Sequence, residues 1–208
     1  MAAAKTGKAE FVRLLLDAGA NAAIEFKRQT ALEVVAGNGC LDCAKALVEG
    51  GADVNALNSS RQPPVHFAIK NGHGEVAEFL FAQGYTWPAP PPVAPRLATA
   101  DPEKGEALFK KTCRKCHFSD SGSGRFTGPN LWDVVGRPRA NVSGYKYSRA
   151  LRGTGGHWTF ENLNVFISDP ARAIPGVEMA FEGVQDDAGR ADIIAFLRTR
   201  SANPVPLP

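Results

Sequence analysis

The stretch D-P-E-K-G-E-A-L-F-K-K-T-C-R-K-C-H at residues 101–117 decides how the second half of the chain is read. Asp101 is a good helix N-cap, since its carboxylate can accept from the unpaired amides of a first turn, and Pro102 suits the first helical position, where no amide bond is lost. Gly105, Leu108, Phe109 and Thr112 then share one helical face leading to Cys113. Cysteines three apart lie on nearly one side of a turn. The thiols of Cys113 and Cys116 can therefore both add to the vinyl groups of one haem, with His117 beneath the iron. The same five residues also arise by chance in redox and zinc proteins, so the rest of the chain has to decide.

The other two cysteines, Cys40 and Cys43, form a second C-x-x-C. A four-thiolate zinc site would place the pairs roughly 15 to 20 residues apart, whereas Cys43 and Cys113 lie in segments of different character. Cys43 occupies an interior helical position, so a small buried hydrophobe is expected there, with a helix-start disulfide as the alternative. Four cysteines in 208 residues exclude a disulfide-stapled scaffold. A composition of 44% hydrophobic and 22% charged residues excludes whole-chain disorder. The absence of a long apolar run excludes a membrane-spanning helix. The net charge of +3 gives no ground for nucleic-acid binding.

Five prolines between Tyr85 and Arg96 mark a boundary, because proline lacks an amide donor and extends as polyproline II. The net charge is −1 before it (1–95) and +4 after it (96–208). The first part repeats. D-A-G-A-N at 17–21 returns as E-G-G-A-D-V-N at 49–55, and A-G-N-G-C at 36–40 returns as I-K-N-G-H at 69–73. The spacing is 32 residues from Gly19 to Gly51 and 33 from Gly51 to Gly84. Each unit carries apolar residues at helical spacing (Phe11, Leu14, Leu15; Val76, Phe79, Leu80) and stops at a glycine. With P-P-V-H-F-A at 63–68, residues 1–86 resemble ankyrin repeats, about three, the first incomplete. That resemblance gives His66 and His73 structural hydrogen bonds rather than ligand roles. Since about three stacked repeats are the minimum for a stable array, an incomplete N-terminus is expected.

Met179 is the one methionine besides Met1, and it sits in I-P-G-V-E-M-A-F, where Pro175 and Gly176 can bend a loop toward an iron. It is the expected second axial ligand, with His157 as competitor. Residues 100–203 then resemble a class I cytochrome c of the mitochondrial and bacterial short-chain type. The resemblance runs through T-G-P-N-L at 127–131, V-G-R at 135–137, G-Y-K-Y-S at 144–148, Trp158, the Met179 segment and A-D-I-I-A-F-L at 191–197. It implies that the Pro129 carbonyl accepts from His117. It also implies that Arg137, Tyr147 and Trp158 neutralise or hydrogen-bond haem propionates, and that Gly105 and Phe109 meet Ile193, Phe196 and Leu197 at a helix crossing. The expected fold is all-α, an ankyrin-repeat array plus a small helical domain around one covalent haem c. The division is repeats at 1–86, a linker at 87–99, the cytochrome domain at 100–203 and a tail at 204–208.

Two departures stand out. The hydroxyls that the family places near the methionine sulfur are replaced by Phe166 and Val177. The lysine ring of mitochondrial relatives is replaced by Thr112, Phe126, Ala171, Glu178, Gln185 and Asp186, which argues against docking on the acidic face of a standard oxidase. The expected function is a one-electron carrier rather than an enzyme, exchanging electrons with redox-partner proteins through the haem edge near Cys116 and Phe181. The repeats would offer their concave face to a protein partner, and a linker of about twelve residues would span roughly 35 to 40 Å. The alternative is a haem-based redox or gas sensor, or a weak peroxidase, in which Met179 dissociates. Neither S-G-S-G at 121–124 nor G-T-G-G at 153–156 has the context of a phosphate-binding loop. Haem attachment implies the bacterial periplasm, although M-A-A-A-K-T-G-K lacks the apolar core of a signal peptide.

Overall fold

In the computed structural model, which describes residues 1–26, 29–122, 124 and 126–208, the 33-residue period becomes a stack of helix pairs. They are α1 (Ala2–Thr6) and α2 (Ala9–Asp17), α3 (Ala31–Asn38) and α4 (Leu41–Glu49), and α5 (Pro64–Lys70) and α6 (Gly74–Ala82). Gly19, Gly51 and Gly84 all have positive φ, and the next amide in each case reaches back five residues: Ala20 to Leu15, Ala52 to Leu47 and Tyr85 to Leu80. Only glycine takes that backbone without strain, which is why each repeat stops there. A minimal antiparallel pair of strands, β1 (Glu25–Phe26) and β2 (Gln29–Thr30), sets Glu25 opposite Thr30. Thr30 then caps α3 by accepting from the Glu33 amide at 3.1 Å. The core of the stack is small and aliphatic, with Leu32, Val35, Cys43, Ala44, Val65, Ala68 and Leu80 buried. Cys43 is fully buried as expected, but it is joined to Cys40 by a disulfide, so the alternative of a helix-start disulfide replaces the free-thiol expectation.

The chain divides into two compact units, and the division does not simply follow the sequence: the first comprises Met1–Pro88 together with Ala171–Glu182, the second Ala89–Pro170 and Gly183–Pro208.

In the second unit the proline-rich stretch takes a different path from the extended one expected. Ala94–Leu97 forms a short helix, α7. The Glu161 carboxylate accepts from the amides of Val93 and Ala94, Asn164 donates to the Pro91 carbonyl, and Val93 and Leu97 are buried. Capping by a carboxylate and burial of two apolar side chains outweigh the local proline preference.

The main helices of this unit are α8 (Pro102–Thr112), α9 (Arg149–Gly153), α10 (Phe160–Ser168) and, beyond the short α11 (Pro170–Ala173), α12 (Asp187–Thr199). Asp101 caps α8 through the amides of Glu103 and Lys104. The α8–α12 crossing is as expected: a Cβ on Gly105 would collide with the Asp192 carbonyl, and the Phe109 and Phe196 rings stand 5.2 Å apart. Arg190, only 2% exposed, is satisfied by Asn164, the carbonyls of Val184 and Gln185, and Asp187.

Candidate haem-binding site

Helix α8 ends at Thr112 with Cys113 as its cap, and the turn that follows presents Cys116 and His117. Cys113 is partly buried and Cys116 exposed, and both are free thiols. Burial pushes the Cys113 thiol up, against the opposing hydrogen bond from Thr112. The His117 amide accepts a place in the turn by donating to the Cys113 carbonyl at 3.0 Å.

The imidazole is fixed from the other side. Nδ1 of His117 lies 2.8 Å from the Pro129 carbonyl, and because a carbonyl only accepts, Nδ1 carries the proton and Nε2 keeps its lone pair. Burial holds the imidazole below its ordinary pKa, so it is neutral at pH 7. Gly128 lies against the ring, and any Cβ there would collide with it. The Gly128 amide in turn donates to the Cys116 carbonyl at 2.8 Å, tying the 127–131 stretch to the cysteine turn. The T-G-P-N-L motif drew attention to Pro129. The role of Gly128 needed the ring position, which only the folded chain supplies.

Arg137 donates through its terminal nitrogens to the carbonyls of Trp132 and Asn130, while its Nε is buried without a hydrogen-bond partner. Burial lowers its pKa. The Tyr147 hydroxyl accepts from the Val142 amide, and its carbonyl accepts from Arg152. Trp158 is buried, with the Phe166 ring at 4.9 Å and the Arg139 guanidinium 5.1 Å from its ring centre. Arg139 and Arg152, absent from the sequence-based candidates, reach this cluster only through folding. His157 is exposed, and its backbone pairs with Pro138. The second unit thus contains Cys113, Cys116, His117, Pro129, Arg137, Tyr147 and Trp158, while Met179 and Phe181 lie on the Ala171–Glu182 segment of the first. Ser123, within the S-G-S-G stretch, lies outside the described residues.

These groups fit a covalent c-type haem: two free thiols three apart, a neutral imidazole with its Nε2 lone pair uncommitted, and a buried guanidinium nitrogen still lacking an acceptor. They do not fit a four-thiolate zinc site, since Cys40 and Cys43 are bonded to each other and no cluster of three metal-ligating side chains occurs among the described residues.

Residues 1–87 match ankyrin repeats, in three copies. A cytochrome c homolog of Bradyrhizobium diazoefficiens is 41% identical over 160 residues, spanning 74% of this chain and 83% of the relative. One from Rickettsia bellii is 40% identical over 149 residues, spanning 72% and 84%. Cytochrome c 2.1 of Caenorhabditis elegans is 39% identical over 106 residues, covering 51% of this chain and 95% of its own length. The chain belongs to the cytochrome c family, and carries ankyrin repeats at its N-terminus.

Proposed function

We propose that this protein is a one-electron carrier that holds one haem c through Cys113 and Cys116, with His117 and Met179 as axial ligands. The observation that carries the reading is the state of His117: a half-buried, neutral imidazole directly after the two thiols, with Nδ1–H committed to Pro129 and Nε2 free to ligate. When bound, the haem supplies reversible one-electron chemistry at its iron. Attachment adds each S–H across a vinyl double bond, forming one C–S and one C–H bond, and consumes no oxidant. The chain's own contributions are positional. Gly128 leaves room for the imidazole, and Pro129 fixes its tautomer. Arg137, with Tyr147 and Trp158, offers polar groups to the propionates, and its unpartnered Nε is the natural donor. Phe181 is half-buried near Met179 in sequence and would stand at the exposed edge.

The repeats support a role in protein interaction, and their concave face is the proposed dock for a redox-partner protein. An oxidising compartment, the periplasm in a bacterium, accords with the Cys40–Cys43 disulfide. Among the described residues no helix is long and apolar enough to cross a membrane.

The test is the visible spectrum of the full-length protein matured with haem. A low-spin spectrum in both oxidation states, with a methionine-to-iron charge-transfer band when oxidised, is expected, together with haem that stays attached under denaturing conditions. Loss of that band with carbon monoxide binding at neutral pH would replace the carrier by a sensor or weak peroxidase with a labile Met179.

A further inference from the structure

The first compact unit joins Ala171–Glu182 to the repeats, and the contacts involved are specific. The Val177 amide donates to the Ile174 carbonyl at 3.0 Å across Pro175 and Gly176, and Gly176 has a φ of 86°. This is a turn with proline at its second position and a positive-φ glycine at its third. In such a turn the glycine amide takes no part in the closing bond and must find an acceptor elsewhere. It finds His66 of α5: the Gly176 amide donates to Nδ1 at 3.1 Å, in a buried contact. Two further contacts hold the start of the segment. The Tyr85 hydroxyl lies 3.5 Å from the Arg172 carbonyl, and the Arg172 guanidinium stands 5.8 Å from the Trp87 ring centre. Gly176 and Val177 are both buried.

A backbone amide only donates, so Nδ1 of His66 must be unprotonated and Nε2 must carry the hydrogen. Nε2 lies 3.3 Å from the Gln62 side-chain amide. His66 is 1% exposed, and burial holds its pKa at about 4, so the neutral ring that this arrangement needs is the form present at pH 7. Its edge also meets Phe67, with ring centres 5.2 Å apart. The acceptor is thus one tautomer of one buried side chain.

We infer that His66 is a positioning residue for Met179: the third repeat grips the turn three residues ahead of the methionine through the Gly176 amide, so that the array governs how firmly the sulfur is held on the iron. This rests on Met179 being the axial ligand. It gives the repeats a task besides docking. A partner that drew the array away from this turn would loosen the ligand, and by linkage loss of the ligand would weaken that grip.

The experiment uses the full-length holoprotein and two readouts, amide hydrogen exchange across 174–182 and titration with imidazole at fixed pH, which displaces the methionine and abolishes its charge-transfer band. His66→Leu removes the acceptor. It is expected to speed exchange at Gly176 about tenfold and to lower the apparent Kd for imidazole about tenfold, the effect of orphaning one buried amide. His66→Asn places an oxygen where Nδ1 stood and is expected to restore both. If His66→Leu disrupts the repeats by circular dichroism, His66→Gln, which keeps a polar group at the Nε2 position alone, takes its place with the same expectation. Unchanged exchange, or faster exchange with an unchanged imidazole Kd, would overturn the inference. A wild-type holoprotein with no methionine-to-iron band would instead overturn Met179 ligation, and the exchange arm would still report whether His66 holds the turn.

Discussion

Replacing Gly105 by alanine sets two effects of opposite sign against each other. In an exposed helix the change favours folding by about 1 kcal/mol, because alanine restricts the unfolded backbone. At this position the added methyl would collide with the carbonyl of Asp192 and lie 3.0 Å from the Ile193 amide nitrogen. Both are main-chain atoms of α12 and cannot rotate aside. The helices must therefore move apart, which loosens the Phe109–Phe196 contact and opens the seam around Ile193, Ile194 and Leu197, all within 3% of complete burial. Overpacking of a closely packed core costs about 1–3 kcal/mol and occasionally more, and a backbone neighbour puts this site at the upper end. The net loss, about 3 less about 1, is about 2 kcal/mol. For a unit of roughly a hundred residues that lowers Tm by about 8–16 °C. Thermal unfolding of the full-length holoprotein, followed at the haem absorption, measures it. Gly189→Ala is the control, since its Cβ meets side-chain rather than main-chain atoms, Leu108 Cδ1 and the capping Asp186 Oδ2, and a smaller loss of about 1 kcal/mol is expected. A Gly105→Ala protein as stable as the parent would refute the close crossing.

Three further outcomes are expected. His66 has its folded pKa depressed from 6.5 to about 4; above pH 6.5 both states leave it neutral, and as pH falls toward 4 the unfolded chain gains the proton first. The first unit should therefore lose about 3 kcal/mol across that window. Burial of Glu33 raises its pKa and works in the opposite direction. His66→Phe should flatten the decline in urea midpoints measured against pH. Arg190→Met leaves the carbonyls of Val184 and Gln185 and the Asn164 oxygen without their donor; a loss of about 2–4 kcal/mol by urea unfolding is expected. Glu161→Ala frees the amides of Val93 and Ala94, and limited proteolysis should cut within 91–97 about tenfold faster, the effect of losing a charge-assisted cap.

Much of the fold is legible in particular residues. The glycines at 19, 51 and 84 announce the repeat ends because the left-handed backbone there excludes most other residues. Gly105 and Phe109 point to a close helix crossing through the resemblance to the cytochrome family, and the missing Cβ of Gly105 is what lets the α12 backbone approach. His117 is legible because cysteine chemistry constrains spacing. The proline-rich stretch misleads, since its local preference for extension yields to Glu161, nearly seventy residues away. Gly128 and Arg139 carry no local signal for their neighbours, His117 and Trp158.

By itself, the sequence determines what depends on near neighbours along the chain: helix starts and stops, the repeat period, and the C-x-x-C-H spacing that brings thiols and imidazole to one turn. Tertiary structure alone decides what depends on residues far apart or carries no motif: the approach of Gly128 to the His117 ring, the orphaned Arg137 Nε, and the seat of the Gly176 amide on His66, 110 positions away in the chain. Hydrogen bonding is short-ranged and directional, so which distant donor meets which acceptor is settled only when the packed core has fixed their positions.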